Sequence, residues 1–386
     1  MRVVFISNYF NHHQKAFSDE MNKLTGGEYF FIETIPMEDE RVNMGWNMIN
    51  TPNYVLKNYN DVPENEYIRG LINEADVVII GSASNKIISE RLKRGKLVFR
   101  YSERIFKKGF AWYKWPIWMI RFFYQHNRHK NLYMLCASAY TALDYAKTFS
   151  FINKTYKWGY FPEVKKYEDV DQLIESKKEN SLLWVARFID WKHPEIPIQI
   201  VKRLQDDGYN VHLSMRGNGV LENDLRENIK KIGAEKYIDL LGAMSPEEVR
   251  KYMEQAQIFL FTSDRNEGWG AVLNEAMNSA CAVVASHAIG SAPFLISDKE
   301  NGCIYKDGDW DDLYKKVKWL LDNPKQRVAL GKKAYQTMVQ QWNAEIAARR
   351  FIEISKMLLS GQDKVDLYDD GVCSRANILK DNWYKP

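Results

Sequence analysis

The feature that most constrains this chain is an alternation repeated from one end to the other. Short runs apolar at nearly every position are followed by segments of helical period. RVVFIS precedes a helix predicted over Gln14–Leu24, YFFIETI follows, and ADVVIIGS leads into a helix over Lys86–Arg94. KLVFRYS and LYMLCAS come next, the latter running into AYTALDYAKTF. A strand apolar on both faces must be covered on both faces, so the pattern predicts parallel sheets flanked by helices. Residues 163–179, EVKKYEDVDQLIESKKE, interrupt it with more than half charged positions and read as a linker or an exposed connecting element. The alternation then restarts: SLLWVARF, helix 194–206, YNVHLSMRG, helix 221–232, YIDLLGA, and helix 246–256, announced by the capping box Ser245-x-x-Glu248. QIFLFTS, helix 270–280, CAVVASH, helices near 311–322 and 325–341, and a last helix over 344–359 complete it. A chain of 386 residues suits two domains. The boundary falls near 162–180, and two doubly wound α/β domains with a cleft between them are the natural architecture.

Composition narrows the function. A net charge of +4 with both signs mixed gives no basic stripe for nucleic acid. Cys136, Cys281, Cys303 and Cys373 lack paired spacing and read as reduced thiols of a cytoplasmic protein. The amino-terminal run reads as a buried strand rather than a signal peptide, and no stretch is long and apolar enough to span a membrane.

Residues 257–277, QIFLFTSDRNEGWGAVLNEAM, read as strand, loop and helix. Ligands of parallel sheets sit beyond the carboxyl ends of strands, where a helix starting near Gly270 would aim its amides. Gly268 and Gly270 would let a diphosphate approach the backbone. Glu275 could accept two hydrogen bonds from a ribose diol, and Glu267 could meet hydroxyls on the group the diphosphate carries. A glycosidase pair is disfavoured: eight residues of helix rise about 12 Å, beyond the ~5–9.5 Å between hydrolase carboxyls. A surface glutamate plus a capping glutamate is the bland alternative. Arg187, just past a strand, and Lys192, just before a helix, are cations suited to a diphosphate, although either alone is more often in a surface ion pair.

Strand-Arg-x4-Lys, then MRGNG at 215–219, then Glu-Gly-x-Gly-x4-Glu-Ala, then IGSAPFLI…NGCIY resembles the retaining glycosyltransferases of family 4, densely from about 181 to 340. The resemblance implies a GT-B fold: two Rossmann-like domains facing a central cleft, residues 1–165 binding acceptor, residues 166–345 binding a nucleotide sugar, and residues 346–386 packing back on the first domain, Trp383 and Tyr384 included. It implies transfer with retention from a UDP- or GDP-sugar to a carbohydrate acceptor in capsule, O-antigen or exopolysaccharide assembly, without a metal. Arg187 and Lys192 would bind the diphosphate, with Gly217, Gly268, Trp269 and Gly270 around it; Glu275 would take the ribose and Glu267 the donor sugar. Arg187, Lys192 and Glu267 are the catalytic candidates. The absence of a metal has a physical counterpart, since two cations and a helix start can stabilise charge growing on the leaving group. Asp309-Trp310-Asp311 has the spacing of a metal motif but sits where Asp ordinarily caps a helix.

Two departures stand out. Phe294 occupies a place where many relatives carry glutamate, and LVFRYSERIF offers Ser102-Glu103-Arg104 where a histidine is common. Glu103 is the acceptor-side catalytic candidate, with Arg104 beside it. The loop SNYFNHHQKAF contributes Asn11, His12 and His13, which could contact acceptor or phosphate, or cap and pack. Residues 103–130 interleave aromatics with Lys107, Lys108, Lys114, Arg121, Arg128 and Lys130. They read either as a segment at an anionic membrane surface, implying a lipid-linked acceptor and a peripheral location, or as core helices with snorkelling bases. A phosphorylase of the same fold would need a cofactor lysine, and none is identified. A non-catalytic sugar-nucleotide-binding partner of another transferase is the alternative from a different class, against which Glu267, Glu275, Arg187 and Lys192 all stand.

Overall fold

The computed structural model describes residues 1–38, 51–59, 64–362 and 364–385. The chain divides into two compact units: Met1–Glu163 with Trp342–Lys380, and Val164–Gln341 with Asp381–Pro386.

The first unit is built on seven strands: β1 Val3–Ser7, β2 Tyr29–Glu33, β3 Val55–Lys57, β4 Val77–Ile80, β5 Val98–Ser102, β6 Leu132–Cys136 and β7 Thr155–Lys157. Every pairing is parallel, in the order β3-β2-β1-β4-β5-β6-β7. The order reverses between β1 and β4, so a crevice opens beyond their carboxyl ends. Helix His12–Leu24 follows β1 and packs against helix Ala344–Leu359. Phe351, fully buried, brings the later helix to the sheet, its ring 5.0 Å from that of Phe99 and 5.8 Å from that of Trp158. The edge strand β7 is covered by residues 371–376: Lys157 donates to the Ser374 carbonyl at 2.8 Å, and Tyr156 and Arg375 form an antiparallel bridge. Covering an edge removes a row of unpaired backbone groups.

The second unit has β8 Ser181–Val185, β9 His212–Arg216, β10 Ile238–Leu240, β11 Ile258–Phe261, β12 Ala282–Ser286 and β13 Cys303–Tyr305, all parallel, in the order β10-β9-β8-β11-β12-β13. Its reversal lies between β8 and β11, which neighbour each other with Ile258 opposite Leu182. The helices fall near their expected places: Glu195–Asp206, Glu222–Lys231, Pro246–Gln255, Trp310–Asp322 and Pro324–Gln340. Ser245 and Glu248 form the anticipated capping box.

Two expectations need correction, and a third gains detail. The charged segment 163–179 is an exposed connecting element, as one of its two readings had it, and it holds the helix Val170–Glu175, capped by Asp169. The ammonium of Lys177 is buried and donates to the carbonyls of Met253, Glu254 and Ser279. Buried charge is tolerated here because hydrogen bonds replace its water. Trp383 and Tyr384 do not join the first unit. The Tyr384 hydroxyl donates to the Ile304 carbonyl at 2.6 Å, and both rings lie against His287, whose Nε2 is 3.2 Å from the Asp381 carbonyl. Finally, the helix expected over 270–280 spans only Val272–Asn278.

Candidate functional site

Lys192 and Glu267 are 75 residues apart in sequence and meet in an ion pair between Nζ and Oε2. The topology dictates the meeting. Lys192 lies on the loop after β8, Glu267 on the loop after β11, and these two strands flank the point where the strand order reverses. The loop bearing Lys192 is sewn to the end of β11. The Thr262 hydroxyl donates to the Lys192 carbonyl at 2.8 Å and accepts from the Trp184 indole at 2.8 Å, while Asp264 N donates to the Trp191 carbonyl at 3.1 Å. Lys192 Nζ also lies 4.3 Å from the centre of the Trp191 ring. Glu267 is 7% exposed, so the pair is largely out of water. Arg187 follows β8 directly and is half-buried.

His193 turns the chain after Lys192 in the left-handed region, with φ 51°. Its Nδ1 is 3.1 Å from Glu195 and its Nε2 is 3.7 Å from Asp264. The hydrogen bond with Glu195, more than the charge of Asp264, raises the imidazole pKa against the opposing effect of burial. Nothing local in the sequence marks Thr262, Trp184 or His193 as supports, because each acts across the β8–β11 junction.

Glu275 sits in the first turn of the helix Val272–Asn278. Burial pushes its carboxyl pKa up, and Arg250 pulls it partly back. A ligand donating to it would favour its ionised form. The glycines have steric duties. Gly270 has φ +85°, and a Cβ there would lie 2.6 Å from the Phe261 ring, so only glycine carries the chain over that ring. Gly217 has φ +143°, and its Cβ would fall 1.8 Å from the Ala186 carbonyl oxygen. The Gly217 amide donates to the Gly242 carbonyl at 3.0 Å. Its service is to let the loops after β8 and β9 close on each other, an arrangement completed by Phe188 N donating to the Asn218 carbonyl. Gly268 is buried in the loop before the helix. Trp269 is fully buried with its indole donating to Asn274 Oδ1 at 2.9 Å, so it supports the loop from within. Phe294, at the place of the missing glutamate, lies 6.3 Å from it, ring to ring. Asp309 caps the helix Trp310–Asp322 by accepting from Asp312 N, and Asp311 pairs with Arg203 and Lys315.

In the first unit the β1 and β5 loops supply a second cluster. His12 and His13 have ring centres 3.9 Å apart, and His13 stacks on Tyr160 at 5.9 Å. The Tyr160 hydroxyl donates to Glu103 Oε1 at 2.8 Å, Lys107 donates to Oε2 at 2.8 Å, and Tyr101 lies 6.1 Å from Tyr160. Burial, reinforced by the Glu103 charge, holds both tyrosine pKa values well above the ordinary. Sequence reasoning missed Tyr160 and Tyr101. Two candidates fall outside this cluster. Asn11 caps the helix His12–Leu24, accepting from His13 N at 3.0 Å and donating its own amide to Gln14. Arg104 is buried against Asp144 at 3.4 Å and lies over the Tyr140 ring. The following backbone explains that choice: Phe106 N also donates to Asp144, so the buried carboxylate gathers both donors.

Comparison with known proteins places this geometry. The family described as glycosyl transferases group 1 matches residues 165–337. The chain is 31% identical over 157 residues to the N-acetylgalactosamine-N,N'-diacetylbacillosaminyl-diphospho-undecaprenol 4-alpha-N-acetylgalactosaminyltransferase of Campylobacter jejuni, covering 41% of each chain. It is 29% identical over 182 residues to the amylovoran biosynthesis glycosyltransferase AmsK of Erwinia amylovora, covering 46% of this chain and 44% of that one. The matched stretches thus span less than half the length of these curated relatives. Among solved structures, Anabaena Alr3699/HepE in complex with UDP superposes with a TM-score of 0.69 at 14% identity, covering 92% of this chain and 100% of that one, a likeness of fold. The chain has the GT-B fold, and its residues 165–337 match the family of glycosyl transferases group 1.

Proposed function

We propose that this chain transfers a sugar, with retention and without a metal, from a uridine-diphosphate sugar to a saccharide carried on a lipid diphosphate, in cell-surface polysaccharide assembly. The observation that carries the reading is the desolvated Lys192–Glu267 pair beyond the carboxyl ends of β8 and β11. The names of the relatives support the rest: one acts on a diphospho-undecaprenol substrate, one in amylovoran biosynthesis, and the HepE structures hold UDP.

In this reading the donor diphosphate takes the place beside Lys192 and Arg187. Lys192 gains a second anion, and Glu267 turns one carboxylate oxygen to the hydroxyls of the donor sugar. Glu275 accepts from the ribose diol. As the bond between the anomeric carbon and the phosphate oxygen breaks, the electron pair passes to the diphosphate, and the two cations stabilise it in place. Each such preorganised group is worth about 2.7–4 kcal/mol of barrier. The acceptor hydroxyl attacks from the face the diphosphate leaves and passes its proton to the departing phosphate oxygen.

The test is a thermal-shift series with UDP, GDP, ADP and CDP, each with and without EDTA, followed by NMR assignment of the product anomer. A ligand at 100 times its Kd stabilises by about 2.7 kcal/mol. The expected result is a shift with UDP that EDTA leaves unchanged and Lys192→Ala removes. No shift with any nucleotide, or a shift that EDTA abolishes, would overturn the reading.

A further inference from the structure

Between Glu103 and Asp144 the sequence contains no acidic residue, while Lys107, Lys108, Lys114, Arg121, Arg128 and Lys130 fall within that stretch. The structure turns this segment outward. A 3-10 turn Trp112–Lys114 runs into the helix Trp115–Phe122 and then a π-turn Phe123–Asn127, and the helix buries none of its residues. Trp112 is 78% exposed, Ile117 67% and Ile120 64%, with Tyr113, Phe123 and Tyr124 also exposed. A segment packed in the core, with only its basic tips in water, would show the opposite burial.

A second segment joins it. The Trp115 indole donates to the Lys147 carbonyl at 2.7 Å, and the Trp115 ring lies 6.3 Å from that of Phe149. Phe149 and Phe151 both take left-handed backbone, φ 55° and 56°, a strained conformation that bulky residues rarely adopt. The result is a loop that buries Phe151 against His126, ring centres 4.8 Å apart, and holds Phe149 and Ile152 out in solvent. Backbone strain that exposes an aromatic has no folding advantage, which points to a contact outside the chain.

The geometry points to a two-part anchor, the segment Trp112–Tyr124 together with the loop Phe149–Ile152, that seats the first unit on an anionic lipid bilayer. Aromatic and branched side chains enter to headgroup depth, and Lys114, Arg121 and Arg128 meet the lipid phosphates. Charge selects this occupant. A second copy of the chain would set like charges against each other, and the cores of protein interfaces are depleted of charge. Among the described residues no helix is long and apolar enough to cross a membrane, so the contact lies in the interface plane. The inference rests on the proposed function only for its purpose, which is to hold the enzyme where a lipid-borne acceptor resides.

The experiment is co-sedimentation of the full chain with vesicles of phosphatidylglycerol and phosphatidylethanolamine, against vesicles of phosphatidylcholine alone, at low and high salt. Binding is expected to the anionic vesicles and to weaken with salt. It should fall about tenfold or more in I117E/I120E, in K114E/R121E/R128E and in F149S/I152S. The UDP thermal shift, measured on the same variants, should stay at the wild-type value. Retained binding in F149S/I152S with loss in I117E/I120E would overturn the two-part anchor. Absence of binding to anionic vesicles, or oligomers on size exclusion that I117E/I120E dissociates, would overturn the bilayer as occupant. Vesicle binding without any nucleotide shift would sink the transferase reading and leave the anchor standing.

Discussion

The loops beyond β8 and β11 and the helix Trp115–Phe122 are both rich in charge and aromatic rings, and they use them in opposite ways. In the first region many polar groups have partners inside the same unit: Lys192 with Glu267, Thr262 with Trp184 and the Lys192 carbonyl, Trp269 with Asn274, Gly217 with Gly242. In the second, Trp112, Tyr113, Phe123 and Tyr124 face solvent, and Lys114 and Arg128 lie over the rings of Tyr113 and Tyr124. A region complete in itself is preorganised for a small ligand. A region with its apolar surface exposed is completed by something larger. Composition alone would put the two in one class.

The contrast can be broken most severely at Lys192. Lys192→Ala should lower the transfer rate about 10²–10³-fold, from loss of a preorganised cation. It should also lower stability, because Glu267 is left buried without its counter-charge, a change typically worth about 3–5 kcal/mol. The double variant Lys192→Ala, Glu267→Gln should recover most of the stability and none of the rate. Initial rates and urea denaturation of the three proteins read the two effects separately, and a double variant as unstable as the single one would refute the pairing. Gly217→Ala comes next: a Cβ 1.8 Å from a backbone oxygen forces the two loops apart and should cost about 3 kcal/mol, visible as a lower denaturation midpoint.

A smaller effect comes from pH. Burial, helped by Arg100 and neighbouring charges, lowers the His126 pKa from 6.5 to about 3. The unfolded chain therefore binds a proton that the folded one refuses, and stability is lost as pH falls below about 6.5. Between pH 7 and pH 5 the loss should approach ~2 kcal/mol. Thermal melts of His126→Phe should lack that component; an unchanged acid slope would show that other groups carry it. The smallest effect is expected on the exposed face, where Ile117→Ser should change stability by less than about 0.5 kcal/mol. A larger loss in melts of the free protein would mean that Ile117 packs within the chain, and the contrast between the two regions would fail.

The alternation of apolar runs and helical segments was enough to read the central strands of both sheets, because strands covered on both faces leave that mark locally, but the three-residue edge strands β3 and β7 were too short to leave it. The candidate donor residues were legible singly, as cations after β8 and glutamates around glycines. That Lys192 and Glu267 pair with each other was not, since it depends on β8 and β11 lying side by side, a fact of strand order that no local spacing encodes. Gly217, Trp269 and Arg104 lie within or beside the motifs and so looked like ligand contacts. Their neighbours across the fold give them other tasks: loop closure for Gly217, a buried brace for Trp269, and the buried carboxylate of Asp144 for Arg104. Tyr160 reaches Glu103 from 57 residues away, and only the fold brings the two together. The tail misled for a related reason: Trp383 and Tyr384 follow a stretch that covers β7, yet their rings find His287 and Ile304 in the other unit.

The left-handed phenylalanines carry a consequence for anyone seeking a hardier version of this protein. Glycine at position 149 or 151 would release strain of order 1–3 kcal/mol and, by the ordinary criteria of thermal screening, look like an improvement at 149, where little packing is lost. Selection for heat resistance alone would then discard the very ring that the strained turn holds out, and yield a sturdier molecule with a poorer grip on its surroundings.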